Sequence, residues 1–292
     1  MPHALRLIIF VAVAAACAGC ALRTPDLRLQ DHIIDGQVTW RGVVWIDGVV
    51  TVKKTGNLII EPGTRIVFVP RDEDGDGIGD AELLIEGTLS ARGTAAAPIV
   101  LTSAAARPKP ADWKYLYLDF ARDAELDYLI VEYAYSGLQV HFSRTRVTNS
   151  IFRYNVDGLR FSTVNLVAAG NSMYDNRHGL RYEERDSRAL IHHNDIRDND
   201  VGIFVVTRSA DKVRIEQNNI TGNRQYNVKL GWQQPGDVTL PHNWWGGLNR
   251  EAIQETFLDH KIDAGLGHVR APEPLPEPVN VSDWQQYEGA AP

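Results

Sequence analysis

Six carboxylates crowd the stretch RDEDGDGIGDAEL at residues 71–83: Asp72, Glu73, Asp74, Asp76, Asp80 and Glu82. The order Asp72-x-Asp74-x-Asp76-Gly77-Ile78-x-Asp80 alternates acids with other residues and then supplies a glycine. Such a loop curls around a hard cation. The glycine permits the sharp turn, and the Ile78 carbonyl adds an uncharged ligand. Oxygen-only ligands favour calcium over transition metals. Without a cation the aspartates repel one another, which works against an ordered loop. Asp72, Asp74, Asp76, Ile78, Asp80 and Glu82 are therefore the candidate ligands of one Ca2+.

A second group of candidates emerges when five short runs are aligned: LQVHF (138–142), LRFST (159–163), LRYEE (180–184), IFVVT (203–207) and VKLGW (228–232). If these are stacked strands, alternation buries Leu138, Leu159, Leu180, Ile203 and Val228. The outward column is then Gln139, Arg160, Arg181, Phe204 and Lys229. Two residues on, it is His141, Ser162, Glu183, Val206 and Gly231. Arg160 and Arg181 would stand roughly 5 Å apart, one coil from the next. Two readings of that pair are open. Arg181 pairs with Glu183 or Glu184 on a solvated face. Alternatively Arg160, Arg181, Glu183 and His141 form a face for a polyanion. No two acids recur on one face at adjacent coils, which glycoside hydrolysis needs.

The elements that must hold these residues have strand periodicity. GVVWIDGVVTV, NLIIEPGTRIVFV and AELLIEGTLSARG are β-rich runs punctuated by Gly, Pro and Asn. The acidic loop begins like an EF-hand, yet RIVFVP and AELLIEG flank it as strands. Its twelfth position is Leu83, with Glu82 one residue early. Without helices to swing there is no sensor movement, so the expectation is a structural calcium loop between coils.

The second half repeats. NSIFRYNVDGL (149–159), NSMYDNRHGL (171–180), NDIRDNDVGI (194–203) and NNITGNRQYNV (218–228) place first asparagines at 149, 171, 194 and 218, and second ones at 155, 176, 199 and 223. A period in the low twenties without a helix suits a parallel β-solenoid. Asparagine suits its corners because it tolerates left-handed backbone, and stacked amides bond from coil to coil. These asparagines read as structural. Gly137, Gly158, Gly179 and Gly202 mark another bend.

On these repeats the chain resembles the right-handed parallel β-helix superfamily, which includes pectate-lyase-like enzymes and NosD-like periplasmic proteins. NLIIEPGTRIVF…LLIEGTLSARGTAAAPIVLTS resembles the first coils of secreted β-helix lipoproteins, and HNWWG (242–246) resembles their closing motif. The resemblance spans about residues 35–247 and speaks to fold rather than function. It implies that basic residues and calcium serve polyuronate lyases of this fold on such a face. The lyase and epimerase signature motifs do not appear. A NosD-like role in metal handling would want imidazole or soft ligands. His192 and His193 are strand neighbours, so they should point to opposite faces and not share one ion. Trp244 and Trp245 read as the plug of the final coil.

The ends set the address. Arg6 precedes an apolar or small run at residues 7–19, which ends in Cys17-Ala18-Gly19-Cys20. Small residues before a cysteine resemble the bacterial lipobox and make Cys20 the lipidated residue. Cys17 stands where leucine is usual, and AAAC ending at Cys17 is a second candidate. Ala21 resembles lipoproteins sorted to the outer membrane. The body beyond residue 20 has no cysteine, hence no disulfide. A formal net charge of −7 argues against nucleic acid.

The expected chain is thus all-β, a right-handed single-stranded parallel β-helix of about nine coils. Residues 1–19 are a signal, 20–34 a tether and 35–247 the solenoid. Residues 248–292 are a cap, with REAIQETFLDH (250–260) as its helix, followed by a Pro-rich tail. It is expected to be a non-enzymatic envelope module anchored by lipid, binding an acidic polysaccharide or an envelope protein. The alternative is a polysaccharide lyase or epimerase acting on an acidic glycan.

Overall fold

The computed structural model describes residues 25–210 and 212–288; Cys17, Cys20 and the expected signal, residues 1–19, lie outside them. Each coil contributes short strands to three faces, and every strand of the two large sheets pairs in parallel with its counterpart one coil on. One face is an eight-stranded sheet. The other two join into a sheet of 17 strands, because the long strand Val43–Val52 serves both. The eight-stranded face gives eight coils among the described residues, close to the nine expected.

The core is a set of stacked columns. Leu138, Leu159, Leu180, Ile203 and Val228 face one another in register and are fully buried. Phe161 stacks on Tyr182 at 5.2 Å, and Phe68 on Trp113 at 3.9 Å. The register read from the repeats is therefore the register of the sheet. This follows from the pleat: a one-residue slip would turn every leucine of the column to solvent.

Two buried amide ladders fix the corners. Asn171, Asn194, Asn218 and Asn243 form one, each Nδ2 donating to the next Oδ1 at 2.9–3.1 Å. Asn155, Asn176, Asn199 and Asn223 form the other at 3.0 Å. Two details differ from the sequence reading. Ser150, not Asn149, occupies the first ladder's position in its coil, since its N–H donates to Asn171 Oδ1. The left-handed residue is the one before each ladder asparagine: Gly170, His193, Gln217 and His242 in one column, Tyr154, Asp175, Asp198 and Gly222 in the other. The turn tilts the following side chain inward, and the amide then answers the buried backbone groups that the corner strips of partners.

The N-terminal end also differs from expectation, while the C-terminal cap helix is present but shorter than expected. Leu27–Ile34, assigned to a tether, is a strand paired with Val43–Val52. Its charged residues suit an edge that must not pair further. At the other end Arg250–Glu255 is a helix capped by Asn249, whose Oδ1 accepts from Ala252 N at 2.9 Å. Phe257–Leu258 then adds a last strand beside Val228 and Lys229. Trp245 and Phe257 pack edge to face over this end, with Trp245 buried, while Trp244 is half-buried and pairs with Asn219.

Candidate functional site

The outer surface of six consecutive strands carries the densest polar chemistry: Trp113–Asp119, Ala134–His141, Asp157–Ser162, His178–Glu183, Val201–Thr207 and Tyr226–Gln233. Register aligns Tyr117, Gln139, Arg160, Arg181, Phe204 and Lys229 in one column. Beside it run Asp119, His141, Ser162, Glu183, Thr207 and Gln233. Val206 and Gly231, expected here, are displaced by irregularities after Tyr182 and Val205. Each extra residue shifts the alternation by one.

Arg181 pairs with neither Glu183 nor Glu184. Its Nη1 donates to Asp157 Oδ2 at 3.1 Å, and Asp157 is fully buried. Asp157 also meets His178 Nδ1 at 2.7 Å. Asp157 is thus the site residue that the alignment missed. It precedes the repeated Gly-Leu, as His178 does one coil on, and that shared position was the available signal. Glu183 is held by Arg185 at 2.8 Å. Glu184 is buried and accepts from Ser209 Oγ and Lys212 N. Arg160 has no carboxylate partner among the described residues. Phe204 lies between two cations, with Arg181 and Lys229 each 5.5 Å from its ring centre.

His141 adjoins Arg160 in this face. Tyr117 Oη lies 3.0 Å from His141 Nδ1. Burial, then the Arg160 charge, lower the His141 pKa below 6.5, against the opposing pull of Asp119. Burial, reinforced by the Asp119 charge, pushes the Tyr117 hydroxyl up to about 12. His141 is accordingly a neutral base near pH 7, and Tyr117 a neutral donor or acceptor. A cavity of about 170 Å³ opens here, lined by His141, Arg160, Ser162, Arg181, Glu183 and Arg185. A wider one of about 520 Å³ continues past Phe204, Arg208 and Lys229 to Trp232. Trp232 is 88% exposed. No repeat pattern marks it, because it occurs in a single coil.

The acidic loop lies elsewhere, between strands Arg65–Phe68 and Glu82–Ile85. Carboxylate oxygens of Asp72, Asp74 and Asp76 come within 4.8 Å of one another. They fit a hard cation in kind and spacing. Asp72 also accepts from Gly75 N and Gly77 N, which folds the loop over itself. Asp80 accepts from Glu73 N at 2.7 Å, and Glu82 is a half-buried strand residue with its pKa raised by burial. Neither joins the three aspartates.

His192 and His193 do not point apart. The strand ends at His192, and His193 is a left-handed corner residue with φ 52°. Strand alternation fails at that step, and the two Nδ1 atoms lie 3.1 Å apart.

A family model described as a right-handed beta helix region matches residues 114–243. No curated protein and no solved structure matches the chain.

Proposed function

The chain is a right-handed parallel β-helix repeat protein, and we propose that it is a lipid-anchored cell-envelope module that binds an acidic polysaccharide along its cationic column. The observation that carries this reading is the succession Arg160, Arg181, Phe204 and Lys229, one residue per coil, ending at the exposed Trp232. The whole chain is acidic, yet this face gathers cations around aromatic rings. Guanidinium groups fit carboxylates. An exposed indole offers an apolar face with a polar edge, which suits a sugar ring. Lipidation at Cys20 would hold the solenoid at the outer membrane. The competing partner for this face is an envelope protein.

Isothermal titration with an acidic oligosaccharide and with its neutral counterpart tests the reading. The acidic glycan alone should bind. Arg160→Ala and Trp232→Ala should each weaken binding about tenfold or more, without lowering the melting temperature. Equal affinity for both glycans, or no binding of either, removes it.

A second reading, a lyase or epimerase, draws on the Tyr117–His141 contact beside Arg160. In elimination, neutral His141 would take the proton α to a uronate carboxylate whose charge Arg160 balances. The carbon–carbon double bond then forms as the glycosidic C–O bond breaks, and the leaving oxygen takes up a proton. Ultraviolet absorbance of the unsaturated product, lost in His141→Ala, tests it. We also propose that Asp72, Asp74 and Asp76 hold a structural Ca2+ that ties down the loop, with affinity of about 10⁻⁴–10⁻³ M.

A further inference from the structure

The C-terminal segment turns back over the solenoid as a strap. Val279 N–H donates to Asn219 Oδ1 at 2.8 Å, and its carbonyl accepts from Asn219 Nδ2 at 3.0 Å. Trp284 is buried and donates to Asn149 Oδ1 at 2.9 Å, with the Arg146 guanidinium 5.1 Å from its ring centre. Gly170 makes room for it, since a Cβ there would stand 2.6 Å from the indole. Tyr287 covers both His192 and His193, at 4.9 and 5.2 Å between ring centres, and donates its hydroxyl to Glu216 at 2.8 Å.

The two imidazoles under Tyr287 constrain one another. An Nδ1–Nδ1 distance of 3.1 Å is a hydrogen bond only when one nitrogen carries a proton and the other offers its lone pair. At least one ring is therefore neutral while the strap is docked. With both rings charged, two donors and two cations would face each other in a buried site.

We propose that His192 and His193 form a proton-operated latch: protonation of both rings breaks their contact and releases the strap, residues 279–288, from the corner. Among the described residues, Asp283 and Tyr287 on the strap and Glu216 with its partner Arg214 one coil on lie beside the pair, and His242, paired with Glu273, stands two coils on in the same corner column. Asn149, Gly170 and Gln217, in the same corner column, are uncharged. Burial and then the His192 charge lower the His193 pKa to about 4, with Asp283 opposing them. The direction follows: a ring at its ordinary 6.5 in the free strap state and lower in the docked state favours docking above pH 6.5. Each pH unit below that weakens docking by up to about tenfold, or roughly thirtyfold by pH 5.

Hydrogen exchange on the full chain, with chelator present, tests the latch through the protection factor of the Val279 amide. It should fall roughly thirtyfold between about pH 8 and about pH 5, while core amides of the ladder coils hold. His193→Asn keeps the left-handed corner, which asparagine tolerates, and replaces the titrating ring by an amide. Its strap protection should not change with pH. His192→Gln, within the strand, carries the same expectation independently. Constant protection in the native chain overturns the proposal. An equal fall in both variants also overturns it and assigns the effect to Glu216 or Asp283.

Discussion

Asn194 is the residue on which the ladder can be tested. Its side chain is fully buried. Its Oδ1 accepts from Asn171 N and Asn171 Nδ2, both at 3.0 Å. Its Nδ2 donates to Ala168 O, His192 O and Asn218 Oδ1, each at 2.9 Å. Asn194→Ala leaves two donors of Asn171 facing a void that water does not reach. Each such orphan costs about 1–3 kcal/mol, and the small cavity adds to that. The expected destabilisation is about 3–5 kcal/mol, a large share of the 5–15 kcal/mol typical of a folded domain. Asn149→Gly is the matched control. Asn149 lies outside the ladder at φ 48°, which glycine adopts freely. It loses the contacts to Asp127 and Trp284, both part-buried, for about 1 kcal/mol. Equilibrium urea unfolding measures both, and unchanged m-values keep the comparison sound. A loss below about 1 kcal/mol for Asn194→Ala, or equal losses at the two positions, would refute the claim that the amide column holds the corner.

Four more outcomes follow from the same geometry. Arg160→Ala should raise the His141 pKa toward its ordinary value, because the guanidinium charge lowers it; imidazole NMR titration reads this, and an unchanged or lower value separates the two groups. Since the folded His141 pKa lies below 6.5, its stability contribution is complete above pH 6.5 and declines as pH falls, which melting temperatures across that range should show. Asp74→Ala/Asp76→Ala should abolish a calcium-dependent rise in melting temperature that chelator also removes, and a native chain indifferent to calcium would leave the loop a solvated turn. Gly87→Ala would set a Cβ 2.3 Å from Gly56 O and 2.4 Å from Lys53 O, so about 1–3 kcal/mol should be lost in denaturant titration.

The periodic part of the molecule was legible because periodicity is what the backbone enforces. Leu138 to Leu159 and Leu159 to Leu180 are steps of 21 residues, so the column of leucines and the arginines beside it could be read off directly. The next steps, to Ile203 and Val228, are 23 and 25 residues. Two added residues enter the turn between Glu183 and Arg188, since Ser162 pairs with Glu183 but Asn165 with Arg188, and others enter as irregularities after Tyr182 and Val205; a period cannot say where an insertion sits. That hid Thr207 and exposed Trp232. Asp157 was hidden for another reason. It looks like a turn acid beside Gly158, and only the register with His178 and the reach of Arg181 make it a buried counterion. His193 was misjudged because strand alternation was carried one residue past the strand. The strap lay beyond sequence reasoning altogether, since its anchors are up to 135 residues distant in the chain.

A site built from one residue per coil has a fixed pitch, and this makes the glycan reading sharper than a list of cations. Backbone hydrogen bonding sets neighbouring coils about 4.8 Å apart. The three steps from Arg160 to Lys229 therefore span about 14 Å. A monosaccharide reaches one guanidinium; an extended acidic chain lying along the solenoid axis meets Arg160, Arg181 and Lys229 in turn and ends on Trp232. Affinity should climb with oligomer length until that span is covered and then level off, because further sugars meet no further cations of this column. Each added contact with a cation is a charge-assisted one, so salt should weaken the long oligomers more than the short ones. Titration of a size-graded series of one acidic glycan reads both trends. A monomer bound as tightly as the longest chain would confine recognition to the small cavity around His141 and Arg160, and the column would then be a surface with no polymer to hold.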